Sequence, residues 1–148
     1  MQDISLHILD IVENAIRADA RTVHIEIGEY PDEDRLRVCI RDDGSGMDSE
    51  TAGKALDPFF TTKTGKRVGL GLSLLQQAAE QTGGTLTIDS KEGEGTCITA
   101  VFVLSHPDMK PLGNIFETMA ALIAGYPSLR FIYDYKKGDD VFHFDSSK

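Results

Sequence analysis

The chain has 148 residues, of which 41% are hydrophobic and 26% are charged, a composition typical of one globular domain whose core needs no disulfide or structural metal. Its formal net charge of -9, from 24 acidic and 15 basic residues, excludes non-specific binding to nucleic acid or to an anionic membrane surface. The N-terminus lacks the basic start of a signal peptide and no apolar run approaches the ~20 residues of a membrane span, so we expect a cytoplasmic protein.

The chain begins with a predicted amphipathic helix. Its apolar residues recur at the spacing of one helical stripe, at Ile4, Ile8, Ile11, Val12, Ala15 and Ile16. Asp3 or Ser5 is the predicted N-cap. A second stripe carries Asp10, Asn14 and Arg17 at i, i+4 and i+7, so their side chains project from one face. Taken alone, such a stripe is typical of a solvated helix face.

Two hairpins and two further helices are predicted next. Residues 22–41 alternate apolar and polar on both sides of a turn, which predicts an antiparallel hairpin. Its expected buried face consists of Val23, Ile25, Ile27, Leu36, Val38 and Ile40. A short helix is predicted at 48–56 and a mobile loop at 57–69. The stretch "LGLSLLQQAAEQTGG" then predicts a helix ended by glycine, and residues 85–104 predict a second hairpin.

This order of elements predicts an α+β fold. Half-polar strands that come in hairpins favour a two-layer α/β sandwich, with a mixed, mostly antiparallel sheet and helices on one face. We expect residues 1–104 to form this domain and residues 105–148 to add an accessory helix and hairpin packed on it. The expected helix stripe is Ile115, Met119, Leu122 and Ile123. The strand with Leu129, Phe131, Tyr133 and Tyr135 either presents an aromatic contact surface to a partner or completes the core.

The sulfur and imidazole side chains show no spacing typical of a metal site. Cys39 and Cys97 each lie within a strand pattern, and their spacing indicates neither a metal knuckle nor a redox pair, so we expect reduced thiols. His24, His106 and His143 do not have ligand spacing either.

Four glycine-rich or polar breaks lie at the ends of regular elements: "DDGSGM", "PFFTTKTGK", "VGLGL" and "GEGT". Each alone is typical of an ordinary turn or loop. In this order, together with "LDIVENAIRA" in the first helix, they resemble the nucleotide-binding domain shared by histidine kinases, gyrase-type topoisomerases, heat-shock chaperones and MutL mismatch-repair proteins, the GHKL or Bergerat-fold family. The resemblance covers roughly residues 3–104.

The resemblance implies that the chain binds ATP and Mg²⁺, and it gives roles to residues near the base and the metal. Asn14 matches the asparagine whose side-chain oxygen ligates Mg²⁺, and Asp42 matches the aspartate that accepts a hydrogen bond from the adenine amino group. Gly44 and Gly46 match glycines that let the backbone pass close to the base and sugar. Thr96 matches a threonine that helps to hold the adenine-side aspartate.

On the phosphate side, the resemblance implies a lid and a cation. Phe59 and Phe60 match the aromatic anchor of the nucleotide lid, and Lys63 lies where a cation can meet the γ-phosphate. Arg17 occupies a position that in many kinases carries a cation near the phosphates.

The start of the helix predicted from Leu70 completes the implied nucleotide site. Gly69 and Gly71 match glycines at the amino end of a helix whose N–H groups and dipole favour phosphate. The resemblance also implies nucleotide contacts by three further residues of the matched motifs, Met47, Leu70 and Leu72.

Asp10 departs from the pattern of the histidine kinases, which commonly carry a second asparagine there. ATP-hydrolysing members and anti-sigma-factor kinases carry a glutamate general base at this position, so Asp10 is either a shorter catalytic base or a metal-shell residue. His7 lacks the phosphoacceptor motif of histidine kinases, and we expect it to be packed or to lie at a pocket edge.

The function implied by the resemblance is that of a stand-alone Mg-ATP-binding domain that phosphorylates a separate protein partner or slowly hydrolyses ATP. The acceptor is a histidine, serine or threonine of that partner. The alternative is a non-enzymatic switch in which nucleotide controls partner binding. We expect no metal other than nucleotide-bound Mg²⁺, and neither nucleic acid nor membrane as a partner.

Overall fold

The computed structural model describes residues 3–46 and 70–147, apart from the side chains of residues 70 and 71. The helices in these ranges are α1 (Ile4–Arg17), α2 (Leu70–Gln81) and α3 (Ile115–Gly125). The strands are β1 (Thr22–Tyr30), β2 (Arg35–Asp42), β3 (Thr85–Lys91), β4 (Gly95–Val103), β5 (Arg130–Lys137) and β6 (Asp140–Asp145). None of these helices is long and apolar enough to cross a membrane. The predicted helix at 48–56 and loop at 57–69 lie outside the described residues.

The strands form a six-stranded mixed sheet in the order β3-β4-β2-β1-β5-β6. Neighbouring strands are antiparallel except β1 and β5, which run parallel. Both predicted hairpins are present: Ile25 lies opposite Ile40 in the first, and Ile88 lies opposite Ile98 in the second. The predicted α+β fold with a mixed, mostly antiparallel sheet is confirmed.

The core lies between the helices and one face of the sheet. α1 packs against α2 and α3, and α2 lies over β3 and β4. The predicted buried face of the first hairpin is confirmed, because each of its six residues is at most 2% exposed. The α1 stripe is buried from Ile4 to Ala15, while Ile16 is partly buried. Each fully buried isoleucine contributes ~1.5–3 kcal/mol relative to an exposed one, so this stripe fixes α1 on the sheet.

The N-terminus of α1 is held by its cap and by the chain that precedes α3. Asp3 is the N-cap, and its Oδ1 accepts hydrogen bonds from the Leu6 N–H at 3.2 Å and from the Ser5 hydroxyl at 2.7 Å. The Ile4 N–H donates to the Pro111 carbonyl at 3.0 Å. The start of α1 is therefore satisfied by backbone from the C-terminal part of the chain.

The C-terminal helix and hairpin continue both layers of the fold. α3 buries Ile115, Met119 and Leu122 in the same core as α1. β5 pairs along β1, with Phe131 opposite Val23 and Tyr133 opposite Ile25. Of the two alternatives for this strand, completion of the core holds for Phe131 and Tyr133, which are at most 1% exposed, and a partner surface is wrong for them. Because β5 extends the sheet beside β1, its apolar face continues the buried face of β1.

Candidate functional site

The candidate site lies where the end of β2 meets the end of α1. After Asp42 the chain crosses the C-terminus of α1, and the Ser45 N–H donates to the Ala18 carbonyl at 2.8 Å. A Cβ at Gly44 would lie 2.7 Å from the same carbonyl oxygen, so only glycine fits there without a shift. Asp42 is thereby held close to the last turn of α1, which carries Asn14 and Arg17.

Asp43, to which the sequence analysis gave no role, clamps this junction. Its Oδ1 accepts the N–H groups of Arg21 at 2.8 Å and Thr22 at 2.9 Å, which ties the start of β1 to the end of β2. Burial alone would raise the pKa of Asp43, but the N–H donors outweigh it and the pKa is lowered. The second aspartate of "DDGSGM" is thus a structural residue.

Asp42 is half-buried and is held by backbone donors. The Gly44 N–H donates to its Oδ1 at 2.8 Å. Burial raises the pKa of Asp42 and the charge of Asp43 acts in the same direction, while N–H groups of Gly44 and Thr96 oppose the rise. A partly desolvated carboxylate in a fixed position is a strong acceptor for the amino group of a ligand.

The glycines around Asp42 allow close packing of the chain on itself. Gly46 has φ +68°, and a Cβ there would lie 2.1 Å from the Lys91 carbonyl oxygen. Gly95 has φ +119°, and a Cβ there would lie 2.1 Å from the Asp42 carbonyl oxygen. Sequence reasoning assigned Gly44 and Gly46 to ligand approach and overlooked Gly95, although "GEGT" contained the turn pattern that could have identified it. In the described residues, the nearest neighbours of these three glycines include backbone atoms of this chain.

Thr96 lies directly opposite Asp42 in the pairing of β2 with β4. Its hydroxyl is 2.8 Å from that of Ser90, and the Ser90 hydroxyl also donates to the Gly95 carbonyl at 3.2 Å. These bonds hold the β3–β4 turn within its hairpin, and the pairing of β4 with β2 places Thr96 at the end of β2. The structure therefore brings Thr96 beside Asp42.

The polar stripe of α1 faces outward next to this corner. Asp10 and Arg17 are exposed and Asn14 is half-buried. The Arg17 Nη1 donates to the Asn14 Oδ1 at 2.8 Å. One turn before Asp10, His7 is only 4% exposed, so its expected packed position is confirmed. Burial lowers the pKa of His7 despite the nearby charge of Asp10.

The predicted site residues fall into three groups. Those gathered at the end of β2 and on the adjoining α1 are Asp42, Gly44, Gly46, Thr96, Asp10, Asn14 and Arg17. Leu72 is 4% exposed and belongs to the core, and residues 70 and 71 begin α2. The predicted residues Met47, Phe59, Lys63 and Gly69 lie outside the described part of the chain.

A half-buried carboxylate and close-packed glycine turns beside a polar helix face form a candidate ligand-binding site on this α+β sandwich. Residues 2–106 match the family of histidine kinase-, DNA gyrase B- and HSP90-like ATPases. The chain belongs to this family.

Similar proteins include bacterial sensor kinases. The chain is 39% identical over 98 residues to the sensor protein kinase FleS of Pseudomonas aeruginosa. The matched stretch covers 66% of this chain and 24% of FleS. It is 39% identical over 84 residues to the sensor kinase CckA of Brucella abortus, covering 56% of this chain and 9% of CckA. It is 31% identical over 98 residues to the sensor histidine kinase YxdK of Bacillus subtilis, covering 63% of this chain and 30% of YxdK. The chain thus spans less than a third of each of these relatives.

A solved structure with the same fold is the Aquifex aeolicus MutL ATPase domain complexed with ADP. The TM-score is 0.58 at 14% sequence identity, and the match covers 99% of this chain and 65% of that chain. This likeness shows the fold. Together with the family match, it identifies an ATP-binding GHKL domain of histidine-kinase type.

Proposed function

We propose that the domain binds Mg-ATP at the end of β2 and promotes transfer of the γ-phosphoryl group to a separate protein partner or, slowly, to water. The observation that carries the proposal is the contact of the loop after Asp42 with the end of α1, where the Ser45 N–H donates to the Ala18 carbonyl at 2.8 Å. This contact supports a site in which the base binds beside Asp42 and the phosphates extend along α1 toward Asn14.

The base end of the proposed site is built on Asp42. Its carboxylate accepts the adenine amino group, and the Gly44 N–H bond to Oδ1 holds that carboxylate in one orientation. Thr96, opposite Asp42, keeps β4 in register with the end of β2. Because the carboxylate is already partly desolvated, little further desolvation opposes binding of the adenine.

The metal end of the proposed site is built on α1. The amide oxygen of Asn14 is a hard oxygen donor on the outward side of α1, so the side chain present fits Mg²⁺. When bound, Mg²⁺ neutralises negative charge on the β- and γ-phosphates. The Asn14 oxygen accepts a hydrogen bond from the Arg17 guanidinium, and if that oxygen held the metal, the guanidinium would be free to contact a phosphate.

Asp10 is the proposed general base. It is exposed at the surface of α1, where a partner hydroxyl or a water can reach its carboxylate. It takes the proton of the attacking hydroxyl as the γ-phosphoryl group is transferred. The relatives named sensor kinases support a protein acceptor. A cytoplasmic partner fits an N-terminus that lacks the basic start of a signal peptide.

The experiment is to incubate the purified chain with γ-labelled ATP, with and without Mg²⁺, and to follow release of phosphate and labelling of added total cellular protein. Phosphate release or protein labelling that requires Mg²⁺ and is lost in Asn14→Ala supports the proposal. ATP binding with neither phosphate release nor labelling would contradict it and would favour a nucleotide-controlled switch.

A further inference from the structure

Two cysteines are in contact on neighbouring strands of the sheet. Cys39 of β2 and Cys97 of β4 are 58 positions apart in sequence, yet their sulfurs are 3.5 Å apart and both thiols are free. Cys39 alternates along β2 with the core residues Val38 and Ile40, so its side chain points away from the helices. The sequence spacing gave no indication of this pair because the pairing of β2 with β4 creates it.

We propose that Cys39 and Cys97 form a dithiol site that hydroperoxides oxidise to a reversible intrachain disulfide, and that this bond weakens ATP binding. The first half of the proposal concerns the thiols alone. The second half rests on the proposed nucleotide site at Asp42.

The position of the pair connects it to that site. Cys97 lies opposite Arg41 in the pairing of β2 with β4, and the next opposed pair is Asp42 and Thr96. A disulfide between β2 and β4 would therefore have its Cys97 end one residue pair from the proposed adenine acceptor and its Cys39 end three residues from it along β2. Any movement of the two strands on closing that bond is transmitted to Asp42 through the backbone.

The register indicates that such a movement is required. Cys39 lies opposite Thr99, and Cys97 opposite Arg41, so the two cysteines are diagonal neighbours. Diagonal Cα atoms in an antiparallel pair are about 7–8 Å apart, whereas disulfides usually join Cα atoms about 4.4–6.8 Å apart. Closing the bond must draw β2 and β4 together or change their twist. A disulfide strained in this way is easily reduced, which makes the modification reversible.

The surroundings distinguish the roles of the two sulfurs. Cys97 is half-buried and beside Arg41, whose pKa is raised chiefly by a hydrogen bond with Cys97. Cys39 is 1% exposed, and burial, with the hydrogen bond to Cys97, raises the pKa of its thiol. Cys97 is therefore the sulfur that meets the oxidant, and Cys39 is the thiol that resolves the product.

The chemistry balances with the hydroperoxide as the oxidant. The Cys97 sulfur loses its proton and attacks one peroxide oxygen; the O–O bond breaks and, with hydrogen peroxide, one water leaves as the sulfenic acid forms. The Cys39 sulfur then attacks the Cys97 sulfur, the S–O bond breaks, and the hydroxyl leaves with the Cys39 proton as a second water. Two thiols lose two electrons in total and the peroxide gains them.

The same two cysteines fit a metal site less well than they fit a dithiol site. Across residues 3–46 and 70–147, no group of three or more histidine, cysteine, aspartate and glutamate side chains could hold a metal ion. Two sulfurs without further ligands do not complete the tetrahedral site that zinc requires.

The thiol half is tested by treating the purified chain with hydrogen peroxide and then alkylating it with a maleimide after denaturation. Both thiols of the wild-type chain should become unreactive, and both should react again after dithiothreitol, with peptide mapping joining Cys39 to Cys97. Cys97→Ser should leave Cys39 reactive, and circular dichroism checks that this variant is folded. Retention of both thiols, or only intermolecular disulfides on a non-reducing gel, would overturn the proposal.

The coupling half is tested by ATP binding to reduced and oxidised wild-type protein and to Cys97→Ser treated in the same way. Oxidised wild type should bind ATP about tenfold to a hundredfold more weakly, the loss expected when one hydrogen bond to the base is broken. Reduction should restore affinity, and peroxide should leave the affinity of Cys97→Ser unchanged. A disulfide without a change of affinity would overturn the coupling. Failure of the reduced wild type to bind ATP would instead contradict the proposed function, and the thiol assay would still decide the first half.

Discussion

Asp42 and Thr96 lie directly opposite each other where β2 and β4 meet the C-terminus of α1. Backbone donors from Gly44 and Thr96 act on the Asp42 carboxylate, yet burial raises its pKa above the ordinary value. The charged form of Asp42 is therefore less favourable in the folded protein than in the unfolded chain. Such a cost is typical of a residue retained for binding rather than for folding.

The turn at Gly95 should tolerate no side chain. Gly95→Ala would add a Cβ 2.1 Å from the Asp42 carbonyl oxygen at φ +119°. Gly93→Ala is the matched control, because Gly93 also has positive φ but a Cβ there meets nothing within 4 Å. By urea unfolding we expect Gly93→Ala to cost ~1–2 kcal/mol and Gly95→Ala to cost more. Equal losses would contradict the steric role of Gly95.

Asp10 should affect turnover more than binding. Asp10→Asn keeps the size and an oxygen able to contact a metal but removes the base, so phosphate release or transfer should fall ~10²–10⁴-fold with little change in ATP affinity. Asp32→Asn makes the same chemical change at an exposed aspartate in the turn between β1 and β2, at the other end of β2 from Asp42, and should leave turnover unchanged. Unchanged turnover in Asp10→Asn would remove Asp10 from the chemistry.

The hydroxyl of Tyr133 should be dispensable. It is buried and has no hydrogen-bond partner among the described residues, and burial raises the pKa of Tyr133 well above its usual range. Tyr133→Phe should therefore stabilise the protein by about 1 kcal/mol in urea unfolding. Tyr135→Phe is the contrasting variant, because the Tyr135 hydroxyl donates to Glu29, and its removal should destabilise the protein. A loss of stability in Tyr133→Phe would show that the hydroxyl has a partner.

The ion pair of Arg130 with Asp145 should make the C-terminal hairpin sensitive to acid. Two hydrogen bonds from Arg130, at 2.5 and 3.1 Å, together with Ser147, hold the pKa of Asp145 far below its usual range. Because the folded pKa is lowered, the stability from this group is present above the unfolded pKa of about 4 and is lost as the pH falls through the folded pKa.

Thermal unfolding of Asp145→Asn against wild type measures this contribution. The variant should have the lower melting temperature at neutral pH, and the difference should shrink as the pH is lowered below about 4. Asp140→Asn, an exposed aspartate on the same strand, should show a smaller difference at neutral pH. A gap between Asp145→Asn and wild type that widens in acid would contradict the assignment.

Local patterns were sufficient to predict α1, α2 and the two hairpins in outline. The alternation in β1 and β2 predicted which six side chains are buried, and the helix stripe predicted which face of α1 packs, because burial of one face imposes these periods. What the patterns did not reveal was the partner of β5. Its parallel pairing with β1 joins distant parts of the chain and buries Phe131 and Tyr133, for which the alternation alone did not decide between the core and a partner surface.

The site could be predicted by residue type but not by contact. The order of motifs singled out Asp42, Gly44 and Thr96, which the structure brings together. The clamp by Asp43 and the contact of Cys39 with Cys97 depend on which backbone or side chain lies across from them. Such pairings depend on the register of the sheet, which cannot be read from a single sequence.

The most direct test of the account is the affinity of ATP for Asp42→Asn and Asp43→Asn, measured by calorimetry. The amide at 42 presents a donor or a weaker acceptor to the adenine amino group. The affinity for ATP should therefore fall tenfold to a hundredfold, a loss of ~1–3 kcal/mol in binding free energy. Because the folded pKa of Asp42 is raised, this neutral variant should melt no lower than wild type at neutral pH.

Asp43→Asn makes the same change one residue away and keeps an oxygen for the Arg21 and Thr22 N–H groups, so it should bind ATP with nearly wild-type affinity. The account predicts a loss of affinity in Asp42→Asn alone, in a protein that remains folded. Wild-type affinity in folded Asp42→Asn, or an equal loss in Asp43→Asn, would contradict the assignment of Asp42 as the residue that binds adenine.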